Sequence, residues 1–309
     1  MRSLSVVVPV YNSEQSLEAL VEQLHEHLPA LASTFEILLV NDGSADGSWA
    51  VIERLAARFP AVRGLNLMRN YGQHNALLAG IRAVKNEIVV TLDDDLQHPP
   101  AEVAKLLQKL DEGFDVVYGV PAQQRHGLLR DVASYMTKVA LQGAMGADNA
   151  RNISAFRAFR AELRDAFAAF AGPFVSIDVL LTWATRSFSR VVVRHEPRRL
   201  GVSNYTVRKL ITHALNMITG FSVLPLQLSS VMGFAFTLFG FGLFVYALVN
   251  YFILGGRVPG FTFIISVVAL FSGAQLFAIG VIGEYLARVH FRLMDKPPYA
   301  VRRDTAALK

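Results

Sequence analysis

Two nearly charge-free stretches in the last third of the chain constrain its fold more than any other feature. Between Leu210 and Gly256 there is no Asp, Glu, Lys or Arg, and from Val258 to Gly283 there is again none. Within them lie apolar spans at about Ser229–Leu254 and Val258–Gly283, each longer than the roughly 20 residues that cross a bilayer core. Soluble helices of that length ordinarily carry a charged face, so the pattern predicts two membrane helices. The connection from Gly255 to Gly260 is short, which makes the pair a hairpin with both flanks on one side. Arg288, Arg292, Lys296, Arg302, Arg303 and Lys309 follow the second span, whereas the connection offers only Arg257. The positive-inside bias then places the N-terminal part and the tail in the cytoplasm of a multi-pass inner- or plasma-membrane protein. Met1–Asn12 is a short apolar run that turns polar at once and does not read as a signal peptide.

With 52% hydrophobic and 18% charged residues over 309 positions, disorder is excluded. The absence of Cys excludes disulfides, thiolate metal sites and a cysteine nucleophile. A net charge of +5 is small enough that its distribution matters more than its sum. No nucleic-acid partner is expected. The cations gather between Arg186 and Lys209, where seven Lys or Arg are opposed only by Glu196. In Thr206–Met217, which overlaps the end of that stretch, Val207, Leu210, Ile211, Ala214 and Leu215 form one helical stripe. An apolar stripe beside cations just before a span reads as an interfacial helix on anionic headgroups; the alternative is a surface helix packed on the preceding domain.

Over the first 120 residues, short aliphatic runs alternate with helical patterns. The runs are Leu4–Pro9, Phe35–Val40, Val62–Met68, Glu87–Leu92 and Asp115–Val120; the helical patterns are Ser13–Leu31, Ser44–Arg58, Gln73–Val84 and Pro100–Glu112. Such alternation predicts an α/β domain with a mostly parallel sheet and helices on both faces. Ligands bind such sheets beyond the carboxyl ends of the strands, and four polar clusters fall there. Asp93-Asp94-Asp95 closes the fourth run and leads into Gln97. Three adjacent carboxylates repel one another unless a cation joins them, and hard oxygen donors at a strand end suit Mg²⁺ or Mn²⁺ completed by substrate phosphates. Alternate residues of an extended stretch point the same way, so Asp93 and Asp95 are expected to share a face with Asp94 pointing elsewhere; the plainer reading is an acidic turn capping the next helix. Asp42-Gly43 closes the second run, offering a carboxylate to a ribose or base edge and a close backbone approach, or simply a tight turn. Pro9, Tyr11, Asn12 and Glu14 lie at the end of the first run. Arg69, Asn70 and Gly72 follow the third and suit a diphosphate or sugar.

VPVYN, VNDGSADGS, RNYGQHNALLAG and DDDLQHPP stand in the order and approximate spacing of glycosyltransferase family 2, which this chain closely resembles. Arg198-Arg199-Leu200-Gly201-Val202-Ser203-Asn204-Tyr205 is similar to the R-x-x-G-x-S-x-Y segment of polyprenyl-phosphate glycosyltransferases, and GVIGEYLARVHFRLMDKPPYAV to their tail. The resemblance implies a GT-A domain, a nucleotide-diphospho-sugar donor (uridine being the expected base), a divalent metal, inversion and a lipid-phosphate acceptor. By position it assigns Asp42 and Pro9–Tyr11 to the nucleotide and Asp93, Asp95 and Gln97 to the metal-diphosphate, with Asp93 and Asp94 also counted toward the nucleotide-sugar and Asp95 toward catalysis. Arg198, Ser203 and Tyr205 fall to the acceptor phosphate. Some relatives assemble, so association of like copies stays open. The implied organisation is a catalytic domain over 1–200, a juxtamembrane acceptor segment over 201–227, two spans over 228–284 and a basic tail over 285–309.

One departure stands out. Many relatives have a carboxylate just before a Phe-Arg-Leu segment, proposed as catalytic base or sugar ligand, whereas here Phe156-Arg157 has no acid immediately before it. Asp148 and Asp178 are the alternative candidates, each more simply read as a plain helix-start residue. A phosphate acceptor is anionic near neutral pH and needs a strong base less than a hydroxyl does. Two other readings compete: a processive polysaccharide synthase and an inactive nucleotide-binding scaffold. The first ordinarily carries a Q-x-x-R-W motif, and neither Trp49 nor Trp183 follows an Arg; intact Asp93, Asp95 and Gln97 oppose the second.

Overall fold

The computed structural model describes residues 2–122, 153–172, 175–196, 223–254, 260–294 and 296–308. Asp148, the expected acceptor residues Arg198, Ser203 and Tyr205, the Thr206–Met217 stripe and residues 255–259 of the connection lie outside them. Eight strands, β1 (Ser3–Val10), β2 (Thr34–Asn41), β3 (Val62–Leu67), β4 (Ile88–Thr91), β5 (Val116–Pro121), β6 (Arg157–Arg160), β7 (Phe188–Val193) and β8 (Val301–Asp304), form one sheet in the order β7-β5-β6-β4-β1-β2-β3-β8. β1 pairs parallel with β2 and β4, β2 with β3, and β5 with β7; β6 and β8 run antiparallel to their neighbours. All five predicted strands are present. From Leu4 to Val10 every residue of β1 is buried, as a strand covered on both faces requires.

The helices α1 (Leu17–His27), α2 (Ser48–Arg58), α3 (Gln73–Ala83), α4 (Val103–Asp111) and α5 (Ile177–Ala184) cover the two faces. One core joins α1, α2 and α4 to the outward set Leu4, Val6, Val8 and Val10 of β1. The other joins α3 and α5 to Val7, Leu38 and Val40. The period-two alternation of β1 thus feeds two hydrophobic layers at once. Each fully buried Val, Leu or Ile adds about 1.5–3 kcal/mol of transfer free energy.

The charge-free stretches form α6 (Leu224–Leu254) and α7 (Phe261–Leu293), of 31 and 33 residues. At about 1.5 Å per residue both exceed the hydrocarbon thickness. Pro225–Ala247 and Leu270–Phe291 are long and apolar enough to cross a membrane, and neither window is buried by protein. Phe234, Phe241 and Phe252 are left outward. The helices touch through Phe236 and Phe271, with ring centroids 5.5 Å apart. The hydroxyls of Ser230 and Thr237 donate to the carbonyls of Leu226 and Gly233 one turn back, which satisfies them without water.

Within the expected tail, α7 continues to Leu293 and β8 joins the sheet beside β3. Arg63 grips Asp304 through two hydrogen bonds of 3.0 and 2.6 Å, and the Gly64 N–H donates to the Thr305 hydroxyl at 2.9 Å.

Candidate active site

The parallel strands β1–β4 bring their carboxyl ends to one edge, and side chains lace the exits together. Leaving β1, Asn12 adopts φ 55°, a region Asn tolerates. Its N–H donates to the Ser44 hydroxyl at 3.0 Å, and its amide oxygen accepts the Ala45 N–H at 2.8 Å. Glu14 accepts the Gly47 N–H at 3.0 Å, and the Ser13 N–H donates to the Ser48 hydroxyl at 2.9 Å. Asn12 and Glu14, expected to meet the nucleotide, therefore bind the β1 exit to the β2 exit; Tyr11 stays largely exposed.

Asp42 is buried, and its two carboxylate oxygens accept the N–H groups of Tyr71 at 2.7 Å and Gly72 at 2.8 Å. Burial pushes its carboxyl above the ordinary range, against those two donors and the nearby Arg69. Gly43 has φ 64°, and a Cβ there would stand 2.5 Å from the Arg69 carbonyl carbon and the Asn70 nitrogen. Only glycine fits both the dihedral and the gap. Asp42 and Gly43 thus grip the loop after β3, where Arg69 stacks over the Tyr71 ring at 4.5 Å. Asp42 organises the loop with the oxygens that the sequence offered to a ribose.

β4 ends at Thr91, so Asp93–Asp95 form a turn rather than an extended stretch, with Leu96 at φ 58°. The alternation argument therefore does not apply to them, but Asp94 is nevertheless diverted. It accepts the Tyr11 N–H at 3.3 Å and the Ser13 hydroxyl, and burial raises its pKa. Asp93 instead accepts the Gln73 side-chain amide at 2.6 Å, and Asp95 the Gln97 N–H at 3.1 Å. No group of three or more His, Cys, Asp or Glu converges on a point among the described residues. Two partly buried carboxylates in one turn are the donor set of a site that takes its remaining oxygens from phosphate and water, and they fit such a metal. Beside them His98 stacks on Phe156 at 5.1 Å and meets the edge of His195 at 5.0 Å. Burial, reinforced by His195, lowers its pKa to about 4, so it is neutral at physiological pH.

Asp178, offered as a candidate base, is buried at the start of α5. It forms a buried ion pair with Arg157 and accepts the Tyr118 hydroxyl at 3.0 Å. Arg157 Nε also donates to the Thr91 hydroxyl at 3.1 Å. Having lost water and gained a cation, Asp178 ties α5 to β4, β5 and β6 and is a structural anchor. Sequence reasoning placed Gln73 in the cluster after the third run, where its amide turns to Asp93, but missed Ser13 and Ser48, which hold the candidate residues in place and which nothing in the spacing announced.

Residues 5–167 match the sequence profile of Glycosyl transferase family 2. The chain is 34% identical over 312 residues to the undecaprenyl-phosphate 4-deoxy-4-formamido-L-arabinose transferase of Yersinia enterocolitica, covering 99% of this chain and 95% of that one. The protein of the same description from Yersinia pestis matches to the same extent. Among solved structures, glucosyl-3-phosphoglycerate synthase of Mycobacterium tuberculosis superposes with a TM-score of 0.52 at 20% identity, over 71% of this chain and 78% of that one. A crystal structure of that synthase with Mn²⁺, uridine diphosphate and glucosyl-3-phosphoglycerate superposes at 0.51 with 21% identity, over the same shares. These similarities establish the sheet architecture.

Proposed function

The chain belongs to Glycosyl transferase family 2, and from that membership we propose that it moves a sugar from a uridine-diphospho-sugar onto the phosphate of a polyprenyl-phosphate lipid, with inversion, at the cytoplasmic face of a membrane. One observation carries the reading: a family 2 site and two helices long enough to cross a bilayer occur in a chain matched along 99% of its length by a transferase described as acting on undecaprenyl phosphate.

In this reading the donor's base and ribose lie along Pro9–Tyr11 and the loop that Asp42 and Gly43 hold, with Arg69 and Asn70 exposed on it. Asp93, Asp95 and Gln97 would hold Mg²⁺ or Mn²⁺, which would supply positive charge for the leaving nucleotide diphosphate. Asp94 takes no part in that and keeps β1 beside the turn. A phosphate oxygen of the acceptor attacks the anomeric carbon opposite the departing diphosphate. Being anionic already, it needs orientation more than a base, and burial of Asp178 is consistent with that. Arg198, Ser203 and Tyr205 are proposed to orient the acceptor phosphate, Arg198 through paired hydrogen bonds.

The β3–β8 pairing supports a two-crossing hairpin. A sheet whose edge strand follows α7 and whose remaining strands precede α6 requires an even number of crossings between them. Cations on the tail favour the cytoplasmic side.

The test is incubation of the full chain with a short-chain polyprenyl phosphate and a panel of uridine-diphospho-sugars, one carrying 4-deoxy-4-formamido-L-arabinose, followed by mass spectrometry of the lipid. A gain of one glycosyl unit that disappears with EDTA supports the reading. A lipid left unmodified by every donor, from protein that still binds Mn²⁺ and uridine diphosphate, overturns the acceptor.

A further inference from the structure

The tail beyond α7 holds more than the sheet edge. Along β3 and β8 the register slips: Leu67 faces Val301, but Asn66 faces Arg303, which leaves Arg302 bulged out of the ladder. A bulge re-aims the side chain it carries, and here the Arg302 guanidinium donates to the carbonyl oxygen of Met68 at 3.2 Å. The Met68 N–H in turn donates to the Ala300 carbonyl at 2.9 Å. Both backbone polar groups of Met68 are therefore held by residues that follow the second apolar helix.

Met68 is the first residue beyond β3, and the chain runs from it directly into the candidate donor loop. There the amides of Tyr71 and Gly72 donate to Asp42, and the Gln73 side chain donates to Asp93. We propose that Arg302 is a positioning residue for the loop from Met68 to Gln73, so that the tail sets the geometry of the donor site without touching the donor. The strand itself has other anchors: Asp304 on Arg63, Thr305 on Gly64 and Arg303 on Glu53. Removing the Arg302 side chain therefore releases the loop while β8 stays docked. The loop contacts stand on geometry alone; only the kinetic consequence rests on the proposed function.

Hydrogen exchange resolved to single amides, on the full chain in lipid nanodiscs, tests the contact directly. In Arg302→Ala the amides of Tyr71 and Gly72 exchange about three- to tenfold faster, the loss expected for one modest hydrogen bond, while Gly64 and Leu65 are unchanged. Arg302→Lys, which keeps a cationic donor on a long aliphatic stem, stays within about twofold of the parent. In the transfer assay Arg302→Ala raises KM for the nucleotide sugar, leaving kcat and KM for the lipid near their parent values. Unchanged exchange at Tyr71 and Gly72 overturns the proposal. Equal acceleration at Gly64 and Leu65 also overturns it, since Arg302 would then only fasten the strand. Faster loop exchange in a chain that transfers no sugar sinks the functional reading and leaves the positioning contact standing.

Discussion

Asp178→Ala leaves the guanidinium of Arg157 in the protein interior without its counter-charge. In the parent the two side chains are 2% and 6% exposed, so the guanidinium loses its counter-charge away from bulk solvent, and the Tyr118 hydroxyl loses its acceptor as well. Truncating one member of a buried ion pair typically costs about 3–5 kcal/mol. For a domain of this size 1 kcal/mol moves Tm by about 2–4 °C, so the variant should melt about 6–20 °C below the parent. Near-UV circular dichroism of the full chain in detergent follows the melt, with transfer measured well below it and normalised to folded protein. A structural anchor predicts a large Tm loss and normalised activity within a few-fold of the parent. The double variant Arg157→Met with Asp178→Leu should recover most of the lost stability, because apolar residues of similar volume often replace such a pair at no net cost. An Asp178→Ala protein that melts with the parent but transfers no sugar would return Asp178 to the chemistry and refute the assignment.

Asp95→Asn should abolish transfer while Asp94→Asn stays within about tenfold of the parent, since a carboxamide oxygen still accepts from Tyr11 and Ser13; equal losses in a metal-titrated assay would contradict that division. Gly43→Ala forces a Cβ to within 2.5 Å of the Arg69 backbone, so donor KM should rise at least about tenfold, and an unchanged KM would mean the loop plays no part in donor binding. His98 is lowered to about 4; between its ordinary 6.5 and that value the unfolded chain binds a proton that the folded chain refuses, so folding stability falls as pH drops through this window. Asp42 and Asp94, both raised by burial, act in the opposite sense just above the ordinary carboxylate range. The comparison is therefore parent against His98→Phe, whose denaturant midpoint should fall less from pH 7 to 4.5. A reporter fused after Lys309 should register the cytoplasm and one inserted at Gly256 the far side; a far-side C-terminus would contradict both the hairpin and the β3–β8 pairing.

What the sequence determined by itself is whatever depends on near neighbours. The runs that became β1–β5 are legible because aliphatic residues cluster over a few positions, and α6 and α7 because charge is missing over tens of residues. The clusters around Asp42 and Asp93 were found at strand ends because those ends follow directly from the runs. Tertiary structure decided what each polar atom does. Asp42 turns its oxygens to Tyr71 and Gly72, Asp94 turns to Tyr11 and Ser13, and Asp178 is neutralised by Arg157; each partner lies far enough along the chain that no periodicity links them. β8 is the extreme case. Val301–Asp304 is a short, cation-bearing stretch with no hydrophobic face of its own, and it becomes a strand because β3 presents an open edge. Its pairing joins Arg63 to Asp304 across 241 positions, and such an edge exists only once the sheet has formed.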